Sequence, residues 1–353
     1  MPDPQVTLAI VASRHIQETE IPGVIVAEHH DNGRVKRAFV NGEHVIHTSW
    51  GDLVPQYTGD DESRRPRLAA IRLDAEGRLE SLALETTQTL DTPLGPLPAE
   101  LVTFHENGSL KRIFPCNGKL SAFWSWQDEY ALAPEIALPL PASLLPEEAD
   151  DGAAQTARYI NFRLDPDGAL RSATLWPGET VTLRTPVGPA RARVGFALHA
   201  DGSLASFEPA TALAMQTPIG VIHAFDPDPE AISGDVNSLA FAPDGSVARA
   251  TTVQDIIRVE QADGSTLRFA PRDAEDLCSS SMATPDDSEG MIEAPDPLTV
   301  WFENKAVSIA HGRLGASGAQ PEPAAVISLD AATFHVEPVR RGLTLAPLSR
   351  SCG

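Results

Sequence analysis

The sequence predicts an all-β protein of antiparallel hairpins, and three observations carry that expectation. Its 353 residues include 30 Pro and 25 Gly, which favours short elements joined by turns over long helices. A pattern of an apolar or aromatic residue, a few residues, Asp or Asn, Gly, one residue and an aliphatic residue recurs along the chain. The flanking runs alternate, as in Leu79-Glu80-Ser81-Leu82-Ala83-Leu84 and Val181-Thr182-Leu183, which is the period of a half-buried strand.

The clearest copies centre on Gly77, Gly108, Gly168, Gly202 and Gly245, with fainter ones at Gly33 and Gly264. Asn-Gly and Asp-Gly supply the positive φ of tight hairpins, so each copy predicts a strand, a type I′ turn and a strand. A second marker follows three of them: Thr92-Pro93-Leu94-Gly95, Thr185-Pro186-Val187-Gly188 and Thr217-Pro218-Ile219-Gly220. Proline fixes φ at the turn, and the glycine two positions later takes a left-handed conformation. One unit therefore reads as two strands about an Asp-Gly turn, then a strand, a Thr-Pro-x-Gly turn, and a strand into the next unit. Later, Thr299–Phe302 and Ala306–Ile309 flank Glu303-Asn304-Lys305 as a hairpin, and Ala325–Leu329 with Thr333–Val336 read as a last pair.

Phe104-His105-Glu106-Asn107-Gly108-Ser109-Leu110 and Phe196-Ala197-Leu198-His199-Ala200-Asp201-Gly202-Ser203-Leu204 resemble the bacterial variant of the MORN repeat. The resemblance covers the turn-and-strand core within residues 28–270. It implies antiparallel β-hairpin repeats in an extended or superhelical sheet, used for protein interaction and not for chemistry. Leu239-Ala240-Phe241-Ala242-Pro243-Asp244-Gly245 also looks like a blade hairpin, which makes a β-propeller the alternative architecture. The expected organisation is an N-terminal segment (1–27), a hairpin repeat domain (28–270) with a proline-rich surface insertion (131–157), an acidic loop (271–297), and C-terminal hairpins with a tail (298–353).

Charge limits the partners. Against 27 Lys and Arg stand 49 Asp and Glu, a formal net charge of −22, which repels nucleic-acid backbones and anionic lipid. Met1–Ala12 has no basic start before its apolar run, and Pro134, Pro139 and Pro141 interrupt the apolar stretch 132–145. The expectation is a soluble, cytoplasmic protein without nucleic-acid or membrane partners. Three widely spaced cysteines, Cys116, Cys278 and Cys352, fit reduced thiols.

Catalytic signatures for nucleotide phosphates, nucleophile elbows and zinc are missing from the sequence. The most distinctive segment is 114–130. It places Cys116 beside a turn, with Lys119, and then sets Trp124 and Trp126 two apart, on one face if the segment is a strand. There the tryptophans wall a pocket and Lys119, Asp128 or Glu129 fix a polar ligand. Equally, the tryptophans cover a sheet end. His30, His44, His105 and Cys116 form a loose set that an Asn41-Gly42 hairpin brings together around a metal, or they are surface histidines. Asp235 and Asn237 offer hard oxygen ligands, or hold a turn by side-chain hydrogen bonds. The leading expectation is a scaffold that binds a protein or ligand along its sheet. The alternative is an enzyme, or a small-ligand or metal-binding protein, with a pocket made by segments 114–130 and 232–238. The sequence points to no particular cofactor.

Overall fold

The structure is a computed structural model, and it describes residues 5–59, 64–118, 124–146, 155–229, 233–272, 295–303, 305–315 and 318–339. The chain divides into two compact units, Met1–Phe207 with Ile232–Asp235, and Glu208–Ala231 with Val236–Gly353. The all-β expectation holds in both. No helix among the described residues is long and apolar enough to cross a membrane.

The first unit contains β1 (Gln5–Ile10), β2 (Thr19–His29), β3 (Val35–Phe39), β4 (Ile46–Thr48), β5 (Gly51–Leu53), β6 (Ile71–Leu73), β7 (Leu79–Thr92) and β8 (Gly95–Phe104). These are followed by β9 (Leu110–Phe114), α1 (Trp126–Leu132), β10 (Glu135–Leu138), β11 (Gln155–Leu164), β12 (Leu170–Leu175), β13 (Val181–Thr185) and β14 (Gly188–Leu198). Ten of them form an antiparallel sheet in the order β1-β2-β3-β6-β7-β8-β9-β11-β12-β14. The register aligns one transverse apolar row, Ala38, Ile71, Leu82, Val102, Ile113, Phe162, Ala173 and Phe196, each from a different strand. All eight are 0% exposed. Because side chains alternate faces, the neighbouring row points the other way: Glu28, Arg37, Arg72, Ser81, Thr103, Arg112, Arg163 and Ser172.

The glycine-marked turns differ from the type I′ expectation. In each, the glycine N–H donates to the carbonyl three residues back, as Gly77 to Asp74 (3.1 Å) and Gly108 to His105 (2.8 Å). The N–H of that first residue donates to the carbonyl of the residue after the glycine, as Asp74 to Arg78 (2.9 Å) and His105 to Ser109 (2.8 Å). Only the glycine takes positive φ, 87° at Gly77 and 83° at Gly108. This is a three-residue loop, a type I turn closed by a left-handed bulge residue, whereas type I′ needs positive φ at two residues. The residue before the glycine keeps an ordinary backbone, and a turn side chain accepts backbone N–H groups: Asp74 and Asp165 from the first position at Gly77 and Gly168, and elsewhere the residue before the glycine. Asn107 Oδ1 accepts the Ser109 N–H (3.0 Å), and Asp201 Oδ1 accepts the Ser203 N–H (2.9 Å).

The Thr-Pro-x-Gly turns behave as expected, with Gly95, Gly188 and Gly220 at φ 93°, 105° and 117°. The threonine contributes what the sequence reading left out. Thr92 Oγ1 donates to the Gly95 carbonyl (2.7 Å) and accepts from the Leu94 N–H (3.1 Å), and Thr185 and Thr217 repeat both bonds. Thr48-Ser49-Trp50-Gly51 is a further turn of the same geometry, between β4 and β5. At Val194 (φ 59°) β14 bends from β13, which pairs with its first half, to β12, which pairs with its second. A left-handed β-branched residue is costly and persists only where packing dictates the bend.

Three organisational expectations change. The segment 131–157 supplies β10, paired with the start of β11, and buries Ile136, Leu138, Leu140, Leu144 and Leu145. Its prolines alternate with those buried residues, which an edge strand tolerates. No hairpin forms at Asn41-Gly42: β3 pairs with β2 and β6, and β4 pairs with β5. Asn41 Nδ2 instead donates to the Gly23 carbonyl (2.7 Å).

The third change falls in the second unit, which contains β16 (Leu213–Thr217), β17 (Gly220–Ala224), β18 (Leu239–Phe241), β19 (Val247–Thr252), β20 (Asp255–Gln261), β21 (Thr266–Phe269), β22 (Leu298–Glu303), β23 (Ala306–His311), β24 (Ala325–Ser328) and β25 (Ala332–Pro338). Between the two sets, β15 (Leu204–Pro209) runs through the boundary. The ladders are β18-β19-β22-β23-β24, β16-β17 and β21-β20-β25. The hairpin about residues 303–305 forms as expected. The last two runs do not pair with each other: β24 joins β23, and β25 joins β20 along all seven of its residues. A full-length ladder satisfies more backbone than a short local hairpin. Most of the acidic loop, 273–294 with Cys278, and the tail from residue 340 with Cys352 lie outside the described residues.

Candidate functional site

Two polar networks in the first unit take up the residues singled out from the sequence. The first begins where β9 ends and Pro115–Gly118 turn back under α1. The sulfur of Cys116 and the carboxylates of Glu100 (β8) and Glu129 (α1) offer ligand atoms within 4.8 Å of one another. The cation among them is Arg64, whose Nη2 donates to Glu100 Oε1 (2.6 Å) and whose Nη1 donates to Glu129 Oε1 (2.8 Å). Thr87 Oγ1 (3.0 Å) and the Asn117 N–H (2.7 Å) complete the shell of Glu100. Burial lifts the Glu100 pKa, but the bonds from Arg64 and Asn117 and the charges of Arg65 and Arg64 outweigh it and leave the group below its ordinary range. Burial, reinforced by Glu100 and Glu129, pushes the Cys116 thiol up to about 12. The sulfur is therefore a protonated thiol at neutral pH, which suits neither a nucleophile nor a thiolate ligand. Gly118 makes the cluster fit, since a Cβ there would lie 2.0–2.3 Å from the Glu129 carboxyl atoms.

The aromatic face expected of Trp124 and Trp126 is not a strand face. Ser125 caps α1, and Asp128 closes a capping box by accepting the Ser125 N–H and hydroxyl (both 2.8 Å). The local Ser-x-x-Asp signal outweighs strand alternation, so Trp124 precedes the helix, half-buried, and Trp126 opens it, 41% exposed. The Asp128 carboxylate is consumed by the cap. Lys119 lies outside the described residues. Trp176 packs edge-on to Tyr130, ring centroids 6.2 Å apart.

The histidines do not gather around an ion. His30 Nε2 donates to the Leu73 carbonyl (2.9 Å) and His105 Nε2 to the Leu164 carbonyl (3.1 Å). Each occupies the first position of a glycine-marked turn and ties it to the strand entering the next such turn. His44 is half-buried in the loop before β4.

The second network surrounds Asp235. The segment 233–235 lies against β12 and β14, where the Gly234 N–H donates to Thr174 Oγ1 (2.8 Å). A Cβ on Gly195 would fall 2.6 Å from the Gly234 Cα, so this approach requires glycine. Asp235 Oδ2 pairs with Arg112 and lies 3.6 Å from Arg163 Nη1, while Oδ1 accepts from the Ser172 hydroxyl. Arg112 also donates to Asn161 Oδ1 (2.9 Å). Burial works to raise the Asp235 pKa, but the Ser172 bond and the arginine charges prevail and hold it below its ordinary range. Asp235 thus bridges two arginines that stand directly opposite each other on β9 and β11, one negative charge against two positive. Asn237 belongs to the second unit, is 1% exposed, and its carbonyl accepts from Arg249 Nη2 (2.6 Å). Among the described residues, Cys116 lies with Glu100 and Glu129, and Asp235 with Arg112, Arg163 and Ser172.

Sequence reasoning missed a groove of about 500 Å³ in the second unit, lined among others by Val221, His223, Asp255, Phe334, His335 and Val336. His223 Nδ1 donates to Asp255 Oδ1 (2.8 Å), and the His223 N–H (2.6 Å) and Thr252 Oγ1 (2.8 Å) donate to Oδ2. This fixes the tautomer and leaves Nε2 for the groove. A signal was present: Thr252-Val253-Gln254-Asp255 is the threonine turn with aspartate in the glycine position, and Thr252 Oγ1 again accepts from the residue two on (3.1 Å). Compared with family models, with curated proteins and with solved structures, the chain matches none.

Proposed function

We propose that the protein is a non-catalytic scaffold of β-hairpin repeats, of the kind the MORN-like units imply, that binds a protein partner along the solvent face of the first unit's sheet. The observation that carries this reading is the polar row from Glu28 to Ser172, which crosses eight strands and presents Arg37, Arg72, Arg112 and Arg163 on one face. The acids and the thiol that could have served chemistry in this unit are consumed instead: Glu100 and Glu129 by Arg64, Asp128 by a helix cap, and Cys116 by protonation. The test is partner capture from the native host with the intact chain as bait. A partner retained by wild type and by Lys305→Glu in the second unit, but lost with Arg72→Glu plus Arg163→Glu, supports the reading; a partner indifferent to the arginines counts against it.

A second reading rests on the His223–Asp255 pair, whose buried carboxylate and groove-lining imidazole suit a small polar ligand. It expects a bound small molecule in native mass spectra that disappears in His223→Ala.

A further inference from the structure

The arginine row is arranged as two positive poles, and their spacing indicates what would recognise them. Arg37 and Arg72 are direct cross-strand neighbours, and so are Arg112 and Arg163. Like charges directly opposite repel, so each pair needs an anion. At the first pole Arg37, Arg72 and the adjacent Lys36 face two carboxylates, Glu28 and Glu80. At the second, Arg112 and Arg163 face one, Asp235. Each pole therefore keeps one uncompensated positive charge, on a chain whose net charge is −22. The side chains of Arg37, Arg72 and Arg163 are 50%, 48% and 45% exposed, and a guanidinium has five N–H donors, more than one carboxylate uses. Between the poles the row contains only the hydroxyl residues Ser81 and Thr103. Arg72 and Arg163, the exposed arginines that face each other across this gap, are four strand spacings apart, about 19 Å.

We propose that this row binds an extended acidic peptide running across the strands, with carboxylates about six residues apart. The inference rests on the scaffold reading and specifies its partner. Residues six apart in an extended chain point to the same side and span about 20 Å, which matches the poles. The chain itself supplies the precedent. Its segment 233–235 lies on this same face by a backbone hydrogen bond to Thr174 and sets one carboxylate between two arginines. A peptide needs only two acids to satisfy the row. The evenly charged backbone of a nucleic acid meets repulsion from the rest of the acidic surface.

The experiment is fluorescence anisotropy of the intact protein with labelled Gly/Ser peptides carrying two glutamates. One peptide has the acids about six residues apart, one has them adjacent, and one has glutamines at the wider positions. The wide pair should bind at least about tenfold more tightly than either control and weaken as salt rises. Arg72→Ala and Arg163→Ala should each cost about tenfold, with unchanged circular dichroism and melting as the folding control. Equal binding of the wide and adjacent acids overturns the spacing, absence of binding overturns the acidic partner, and tighter binding of a single-stranded oligonucleotide overturns the peptide. If the peptides fail while host-partner capture still depends on the arginines, this inference falls and the scaffold reading stands. If capture ignores the arginines, both fall.

Discussion

Arginine meets carboxylates in two places on the same unit, and the difference in burial separates their roles. Arg64 is held by Glu100 and Glu129, whose side chains are 6% and 8% exposed. Arg163 reaches Asp235 from the open face, 45% exposed, with Asp235 itself at 17%. The buried cluster pins α1 to β8 and leaves its charges satisfied internally, so its energy is spent on the fold. The exposed arginines of the row keep donors in water, where they contribute little to stability.

Predictions that break or sharpen this contrast run from large to small. Arg64→Ala leaves Glu129 buried without its cation and Glu100 with only Arg65, 3.8 Å away, so denaturant unfolding should show a loss of about 3–5 kcal/mol; a change near zero would make the two sites alike. Asp235→Asn removes the anion between two arginines and should cost about 1.5–3 kcal/mol in the same assay. Both Glu100 and Asp235 are depressed from ordinary values of 4.5 and 3.8. A depressed carboxylate stabilises the fold above its unfolded pKa, and that contribution is lost as pH falls through the folded pKa. Stability should therefore hold near neutrality and decline on acidification below about pH 4, and Asp235→Asn should decline less steeply than wild type. Alkylation at Cys116, followed by peptide mass spectrometry at mildly alkaline pH, should be more than about a hundredfold slower in the native protein than in denaturant. Rapid native labelling would mean that the Arg64 cluster opens. Arg163→Ala should shift stability by less than about 1 kcal/mol while weakening partner binding, and a large stability loss would move the row to the structural side.

Much of the framework was legible in the residues. The turn glycines, the Thr-Pro-x-Gly corners and the alternation of a strand such as β13 are local signals, because turn dihedrals and strand faces are decided within a few residues. The errors lay where local signals compete or where partners are distant. The Ser125–Asp128 cap defeated the strand reading of the tryptophans, and alternation hidden among prolines concealed β10. The Asp235 carboxylate was noticed, yet its partners Arg112, Arg163 and Ser172 lie 63 to 123 residues away along the chain.

By itself the sequence determined that this chain is β-rich, acidic and turn-punctuated, since composition and short-range spacing act through local sterics and net charge. Only the tertiary structure decided which residues share a row. Cross-strand register brings Ile71 beside Leu82 and Arg112 beside Arg163 through pairings that are set by which apolar faces can be buried together. The same register turned four scattered arginines into one line, while Arg64, in the loop between β5 and β6, turns inward to hold Glu100 and Glu129.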